Sequence, residues 1–172
     1  MKRYWKSLKS LNKVNVILWL TNILWMLFIF YLSSQPARVS NNLSKKITIL
    51  FVNFTKQVQE INFISQKHFS EINDIIRQYA HVVVYIVLAI FVVNALRGSG
   101  MNVLMSCLLA FLISVIFACS DEIHQMFVPG RGVQLQDLIM DCIGVLLGLA
   151  IYTICTLFFK KVIKSKGKDV TR

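Results

Sequence analysis

The sequence predicts an all-α integral membrane protein, with four transmembrane helices and an amphipathic interfacial helix in the first outer loop. Three observations point there. Hydrophobic residues make up 56% of the 172-residue chain and the mean hydropathy is +0.61, beyond the range of ordinary soluble domains. Four apolar runs approach or exceed the ~20 residues a helix needs to cross the hydrocarbon region. Basic residues crowd into two tails, the pattern of topology signals.

Residues 1–13 read as a basic cytoplasmic tail, with Lys2, Arg3, Lys6, Lys9 and Lys13. The first span covers about 14–32. It follows a basic stretch, as a secretory signal does, but runs on for ~20 residues without an A-x-A-type cleavage site, so it reads as an uncleaved anchor. It closes at Ser33, Ser34, Gln35 and Pro36, because proline cannot continue the helix. The outer loop spans 33–78. Within it Leu43, Ile47, Leu50, Phe51, Phe54, Val58 and Ile61 recur at spacings of three and four between polar residues, the signature of an amphipathic helix. Such a helix either packs over the mouth of the bundle or lies in the outer lipid interface, and both placements need the same stripe.

The second and third spans, about 79–96 and 103–119, are joined by the short turn Arg97, Gly98, Ser99, Gly100, expected on the cytoplasmic side. The fourth covers about 138–159. A basic tail follows at 160–172, with Lys160, Lys161, Lys164, Lys166, Lys168 and Arg172. Four crossings put both termini inside and make 14–159 a single transmembrane domain. The first outer loop also carries Arg38, Lys45, Lys46, Lys56, Lys67 and Arg77, but these are dispersed beside Glu60, Glu71 and Asp74, so the dense tails dominate. The formal charge of +11 comes largely from the tails; they lack interleaved aromatics or a recognisable module, so no nucleic-acid partner is expected, and membrane lipids are. Cys107, Cys119, Cys142 and Cys155 fall within or beside apolar runs without a C-x-x-C spacing and are expected to be inert core thiols.

The chemistry gathers at one end of the spans. Four of the eight carboxylates, Asp121, Glu122, Asp137 and Asp141, lie within twenty-one residues around the turn between spans three and four. Ionisable groups near the membrane core are costly unless paired, hydrated or protonated, which makes them candidates for function. If span three stays helical, Asp121, His124 and Gln125 share one face and Glu122 turns aside. The turn Val128, Pro129, Gly130, Arg131, Gly132 then brings Arg131 near the carboxylates, to pair with an acid or to offer a planar fork to a phosphate. Asp137, Asp141, Gly144 and Gly148 form one stripe of span four, and its glycines permit close helix approach. Arg77, His81 and Tyr85, four residues apart, share a face of span two and are the expected partners of Asp141. With Ser33, Ser34 and Gln35 from span one, four helix ends then line one polar pocket.

The run from Ser120 to Arg131, SDEIHQMFVPGR, followed by Asp137 and Asp141, resembles the signature of the VanZ-like family. Tyr31 to Pro36 match the family's Ser-Ser-Gln-Pro-type end of span one, and His81 with Tyr85 match its His-x-x-x-Tyr pair. Where the family often shows asparagine in span four, this chain has Asp141. The resemblance implies a bacterial cytoplasmic-membrane protein associated with resistance to the lipoglycopeptide teicoplanin.

Two functional readings follow. One is an enzyme acting on an amphiphilic or lipid-linked envelope substrate at the outer leaflet. His81 or His124 would serve as acid or base, oriented by Asp121, Glu122 or Asp141, and Ser34, Gln35, Arg77, Tyr85, Gln125, Arg131 and Asp137 would bind. A divalent metal would suit the carboxylates and imidazoles, though their spacing matches no strong ligand motif. The other is a non-catalytic binder or structural membrane protein that holds a lipid or lipoglycopeptide tail. A carrier fits least, since four spans show no inverted repeat or broken helix.

Overall fold

The computed structural model describes residues 2–59, 66–132 and 134–169, with side chains described for 13–36, most of 38–50, 53, 71–132, 134–159 and 161. All regular structure among them is helical: α1 Lys2–Ser33, α2 Ala37–Gln59, α3 Gln66–Gly98, α4 Val103–Gln125 and α5 Leu135–Asp169. Four segments are long and apolar enough to cross a membrane, Lys13–Ser33, Glu71–Gly98, Val103–Gln125 and Leu135–Phe159.

Each helix outruns the apolar run that predicts it. α3 begins well before Tyr79, because Glu71, Asn73, Asp74 and Arg77 continue the helical repeat, and much of the segment expected as loop is helix. α4 reaches Gln125, which places Asp121, Glu122 and Gln125 on regular helix. α5 starts at Leu135 with Asp137 in its first turn, where a carboxylate complements the exposed N–H groups of the helix start. The connections are local and legible. Between α3 and α4, Gly100 takes φ 90°, and the Asn102 side chain caps α4 by accepting from the Met105 N–H at 2.9 Å.

α3 is the hub, in contact with all four other helices and most extensively with α5. Its fully buried Tyr85, Leu88, Ala89, Val92 and Val93 form most of the core. Antiparallel α1 is laced to it by polar bonds: Asn22 Nδ2 donates to the Phe91 carbonyl at 2.9 Å, Trp25 Nε1 to the Val84 carbonyl at 3.0 Å, and Asn15 Nδ2 to Ser99 Oγ at 3.1 Å. α3 and α5 run parallel, although they are not neighbours in sequence, and their approach depends on two glycines. A Cβ at Gly144 would lie 2.5 Å from the Val82 carbonyl oxygen, and one at Gly148 would lie 2.6 Å from that of Ile86. α4 faces the core through a ladder of small residues four apart, Ser106, Ala110, Ser114 and Ala118, all fully buried. Close packing through small residues is the main source of helix association in lipid, where burying apolar surface gives no gain.

The opposite faces are apolar and exposed: Leu104, Leu108, Leu112 and Ile116 on α4, Ile139, Leu146 and Ile154 on α5. That distribution belongs to a bundle solvated by lipid. Cys119 and Cys155 lie on this exposed surface and Cys107 and Cys142 are half-buried, so the expectation of core thiols does not hold. Their positions fall on the flanks of the stripes that pack.

α2 is a helix, and among its described side chains two hydroxyls are buried against the bundle. The residues turned onto α3 are the hydroxyls Ser44 and Thr48, both buried, with Thr48 Oγ1 3.4 Å from Oδ1 of the buried Asn73. Ile47 and Leu50 are instead exposed. The side chains of Leu43, Phe51, Phe54 and Val58, and all of Glu60 and Ile61, lie outside the described residues.

Candidate functional site

Four helices deliver polar side chains to one end of the bundle, and the local reason differs for each. On α3, the four-residue spacing of Arg77, His81 and Tyr85 aligns them on the face turned to α5. The glycine contact just below draws α5 close enough for His81 Nδ1 to lie 3.2 Å from Asp141 Oδ1. One turn earlier on both helices, Arg77 Nη2 lies 3.8 Å from Asp137 Oδ2 and 3.4 Å from Gln134 Oε1. The parallel α3–α5 pair therefore carries a ladder of two cation–carboxylate rungs above the glycines.

On α4 the small-residue ladder ends in Asp121, Glu122 and Gln125, all buried. Gln125 Nε2 donates to Ser33 Oγ at 2.8 Å and to Asp121 Oδ2 at 3.4 Å, tying the end of α1 to α4. Glu122 is turned aside from Asp121 and Gln125, yet it is buried. It accepts the backbone N–H of Gln134 and so braces the turn that leads into α5. A helical position seen in isolation points away from Asp121, yet the returning chain comes round to meet it. His124 takes a separate course: its ring stacks on Phe30 with centroids 4.1 Å apart, and its Nε2 lies 3.1 Å from Ser34 Oγ.

The turn after α4 has the form that proline followed by glycine predicts. The Arg131 N–H donates to the Val128 carbonyl at 3.1 Å across Pro129 and Gly130, with Gly130 at φ 77°, the pattern of a type II turn. It delivers Arg131 to a cleft of about 310 Å³ bounded by α1, α2, α3 and α4. Arg131, Arg77, His81, Asp121 and Gln35 supply polar lining, and Ile29, Leu32, Ile47, Ile76 and Val84 supply apolar walls. Burial, and after it the charge of Arg77, pull the Arg131 guanidinium below its usual range. Asp121, Asp137 and Glu122 pull it the other way, and arginine stays protonated near neutrality.

Residues 18–158 match the family model described as VanZ/LLP1. The chain belongs to the VanZ/LLP1 family. Neither a curated protein nor a solved structure matches it. The matched stretch holds every polar residue of the cluster from Ser33 to Asp141 and leaves out both basic tails.

Among the residues singled out by sequence, the VanZ/LLP1 fold brings Gln35, Arg77, His81, Asp121 and Arg131 to the cleft itself. Asp137 and Asp141 stand behind it as partners of Arg77 and His81. Ser34 and His124 pair with each other away from the cleft lining. Tyr85 is fully buried, and its hydroxyl has no hydrogen-bond partner among the described residues. No three His, Cys, Asp or Glu side chains among the described residues come together to hold a divalent ion.

Sequence reasoning placed Ser33 in the pocket but passed over Gln134 and the Ser44–Thr48–Asn73 contact. The docking hydroxyls of α2 had a signal only in their four-residue spacing, overshadowed by the apolar stripe beside them.

Proposed function

We propose that this VanZ/LLP1 protein lies in the bacterial cytoplasmic membrane with both termini inside, and that its cleft receives an amphiphilic or lipid-linked envelope molecule at the outer leaflet. Teicoplanin-type lipoglycopeptide resistance is the process the family resemblance implies for it. The observation that carries the reading is a cleft with almost wholly apolar walls, through Ile29, Leu32, Ile76 and Val84, that also has Arg131, Asp121 and His81 among its lining residues. A soluble ligand needs no such walls, and a pure hydrocarbon needs no such charges. Susceptible bacteria expressing the wild-type chain should tolerate more teicoplanin than cells expressing Asp121→Asn or Arg131→Gln at equal membrane abundance. Equal susceptibility of all three would remove the resistance reading.

A second reading, chemistry on that molecule, is favoured by the His81–Asp141 pair. Asp141 engages Nδ1, which leaves Nε2 of a cleft-lining imidazole free to take or give a proton, the division of labour found in His–carboxylate dyads. Comparing total lipids and wall precursors of cells with and without the protein tests it. A species that changes with wild type but not with His81→Ala supports turnover, and identical profiles in both support binding alone.

A further inference from the structure

α2 carries charge of one sign only. From Ala37 to Gln59 its sequence holds Arg38, Lys45, Lys46 and Lys56 and no aspartate or glutamate. Arg38, Lys45 and Lys46 are exposed. The ion pairs among the described residues join Arg77 to Asp137 and His81 to Asp141, so no described carboxylate answers these three cations. The helix also starts at a membrane boundary, because only Ser34, Gln35 and Pro36 separate it from the end of α1, whose segment Lys13–Ser33 is long and apolar enough to span.

Successive residues of a helix turn by about 100°, which divides the described part of α2 into three sides. Ser44 and Thr48, four apart, are buried towards α3. About a third of a turn round from them come Val39, Ile47 and Leu50, which are 41%, 53% and 70% exposed. The remaining side holds Arg38, Asn42, Lys45 and Lys46, all exposed, together with the exposed Ile49. One side is thus docked on the bundle, one offers apolar surface beside it and one offers cations, the arrangement of a helix lying where acyl chains meet headgroups.

We propose that α2 binds anionic lipid in the leaflet where α1 ends, with Val39 and Leu50 among the upper acyl chains and Arg38, Lys45 and Lys46 at the phosphates. The charges select a lipid of net negative headgroup, since basic side chains beside a membrane are drawn to its negative surface potential. A zwitterionic headgroup brings its own cation to the phosphate and offers them less. A soluble polyanion such as a wall polymer would meet the cations but leave Val39 and Leu50 in water, where lipid would cover them. The inference concerns α2 alone and does not depend on what occupies the cleft.

The full chain, its four cysteines replaced by serine or alanine, can be reconstituted in vesicles of phosphatidylcholine and phosphatidylglycerol with a fluorophore on Leu50→Cys. Each lipid in turn carries a spin label near the glycerol, and quenching reports which of them gathers at α2. Phosphatidylglycerol should be enriched there at least about fivefold over phosphatidylcholine, the worth of one basic side chain at an anionic surface. The same fluorophore on Ile139→Cys, on the exposed face of α5, should show no such preference. Arg38→Gln, Lys45→Gln and Lys46→Gln together should abolish the enrichment at Leu50→Cys while lipid continues to quench it, because the apolar side is untouched. High salt should weaken the enrichment in the unsubstituted helix.

Equal quenching by the two lipids, or the same enrichment at Leu50→Cys and Ile139→Cys, would overturn the assignment of anionic lipid to α2. Enrichment that survives the triple substitution would overturn the role of the three cations. Quenching of Leu50→Cys by aqueous iodide and by neither lipid would put α2 in water, where a soluble polyanion such as polyglycerol phosphate is the partner left for its cations, and would overturn the proposal as a whole.

Discussion

A Cβ placed on Gly144 would sit 2.5 Å from the backbone oxygen of Val82. That contact sets how closely α5 approaches α3, and one turn above it Asp141 meets His81. Packing and site geometry are thus one feature of the α3–α5 pair.

Gly144→Ala should destabilise the bundle although alanine is the better helix former. Intrinsic propensity favours alanine by about 1 kcal/mol, whereas overpacking against a backbone atom that cannot rotate away costs about 1–3 kcal/mol. The clash should win. Thermal unfolding in detergent should show a lower midpoint for Gly144→Ala and little change for Gly132→Ala, where the added carbon meets nothing within 4 Å. A raised midpoint at 144 would contradict the packing.

The His81–Asp141 pair should behave as a unit. Removing one partner of a buried charge pair costs about 3–5 kcal/mol, while asparagine at 141 keeps an oxygen to accept from the imidazole. Asp141→Asn should therefore fold better than Asp141→Ala. A double-mutant cycle of His81→Gln with Asp141→Ala should show coupling of at least about 1 kcal/mol. Additive losses would mean the two side chains do not interact in the membrane.

Asn22 is expected to matter little. Its Nδ2 bridges to Phe91, but its Oδ1 is buried without a partner among the described residues. An interhelical hydrogen bond in lipid averages about 0.6 kcal/mol, and removing the orphaned oxygen offsets some of that. Asn22→Leu should change unfolding free energy by less than about 1 kcal/mol. A loss several times larger would show that Oδ1 is satisfied in the membrane.

Sidedness can be read by labelling. In a chain whose four cysteines are replaced by serine or alanine, Gly132→Cys should react with a membrane-impermeant maleimide on intact cells. Lys13→Cys should react only after permeabilisation. The reverse pattern would put the cleft on the cytoplasmic side, against the positive-inside rule applied to the tails.

Much of this architecture was readable from residue order alone. The number and rough position of the spans follow from hydrophobic length, because a bilayer tolerates few polar residues in a helix that crosses it. Partners on one helix face, such as Arg77, His81 and Tyr85, follow from the helical repeat. The turn at Gly130 follows from proline and glycine chemistry. The edges of the helices were less legible, because polar residues such as Glu71 and Asn73 continue a helix without continuing an apolar run.

Contacts between helices lay beyond residue order. What Glu122 meets depends on where residue 134 returns, and whether His124 joins Asp121 and Gln125 or pairs with Ser34 depends on which side of α4 is taken by α1. α2 shows the limit too: its composition reveals an apolar stripe, but not that the hydroxyls Ser44 and Thr48 beside it are buried. Residue order determined a lipid-embedded four-span chain with its ionisable groups at one end, since hydropathy and helical periodicity act locally. Tertiary structure alone decided which of those groups pair, as His81 does with Asp141 and Arg77 with Asp137, and which line one cleft, because pairing depends on distances between segments far apart in the chain.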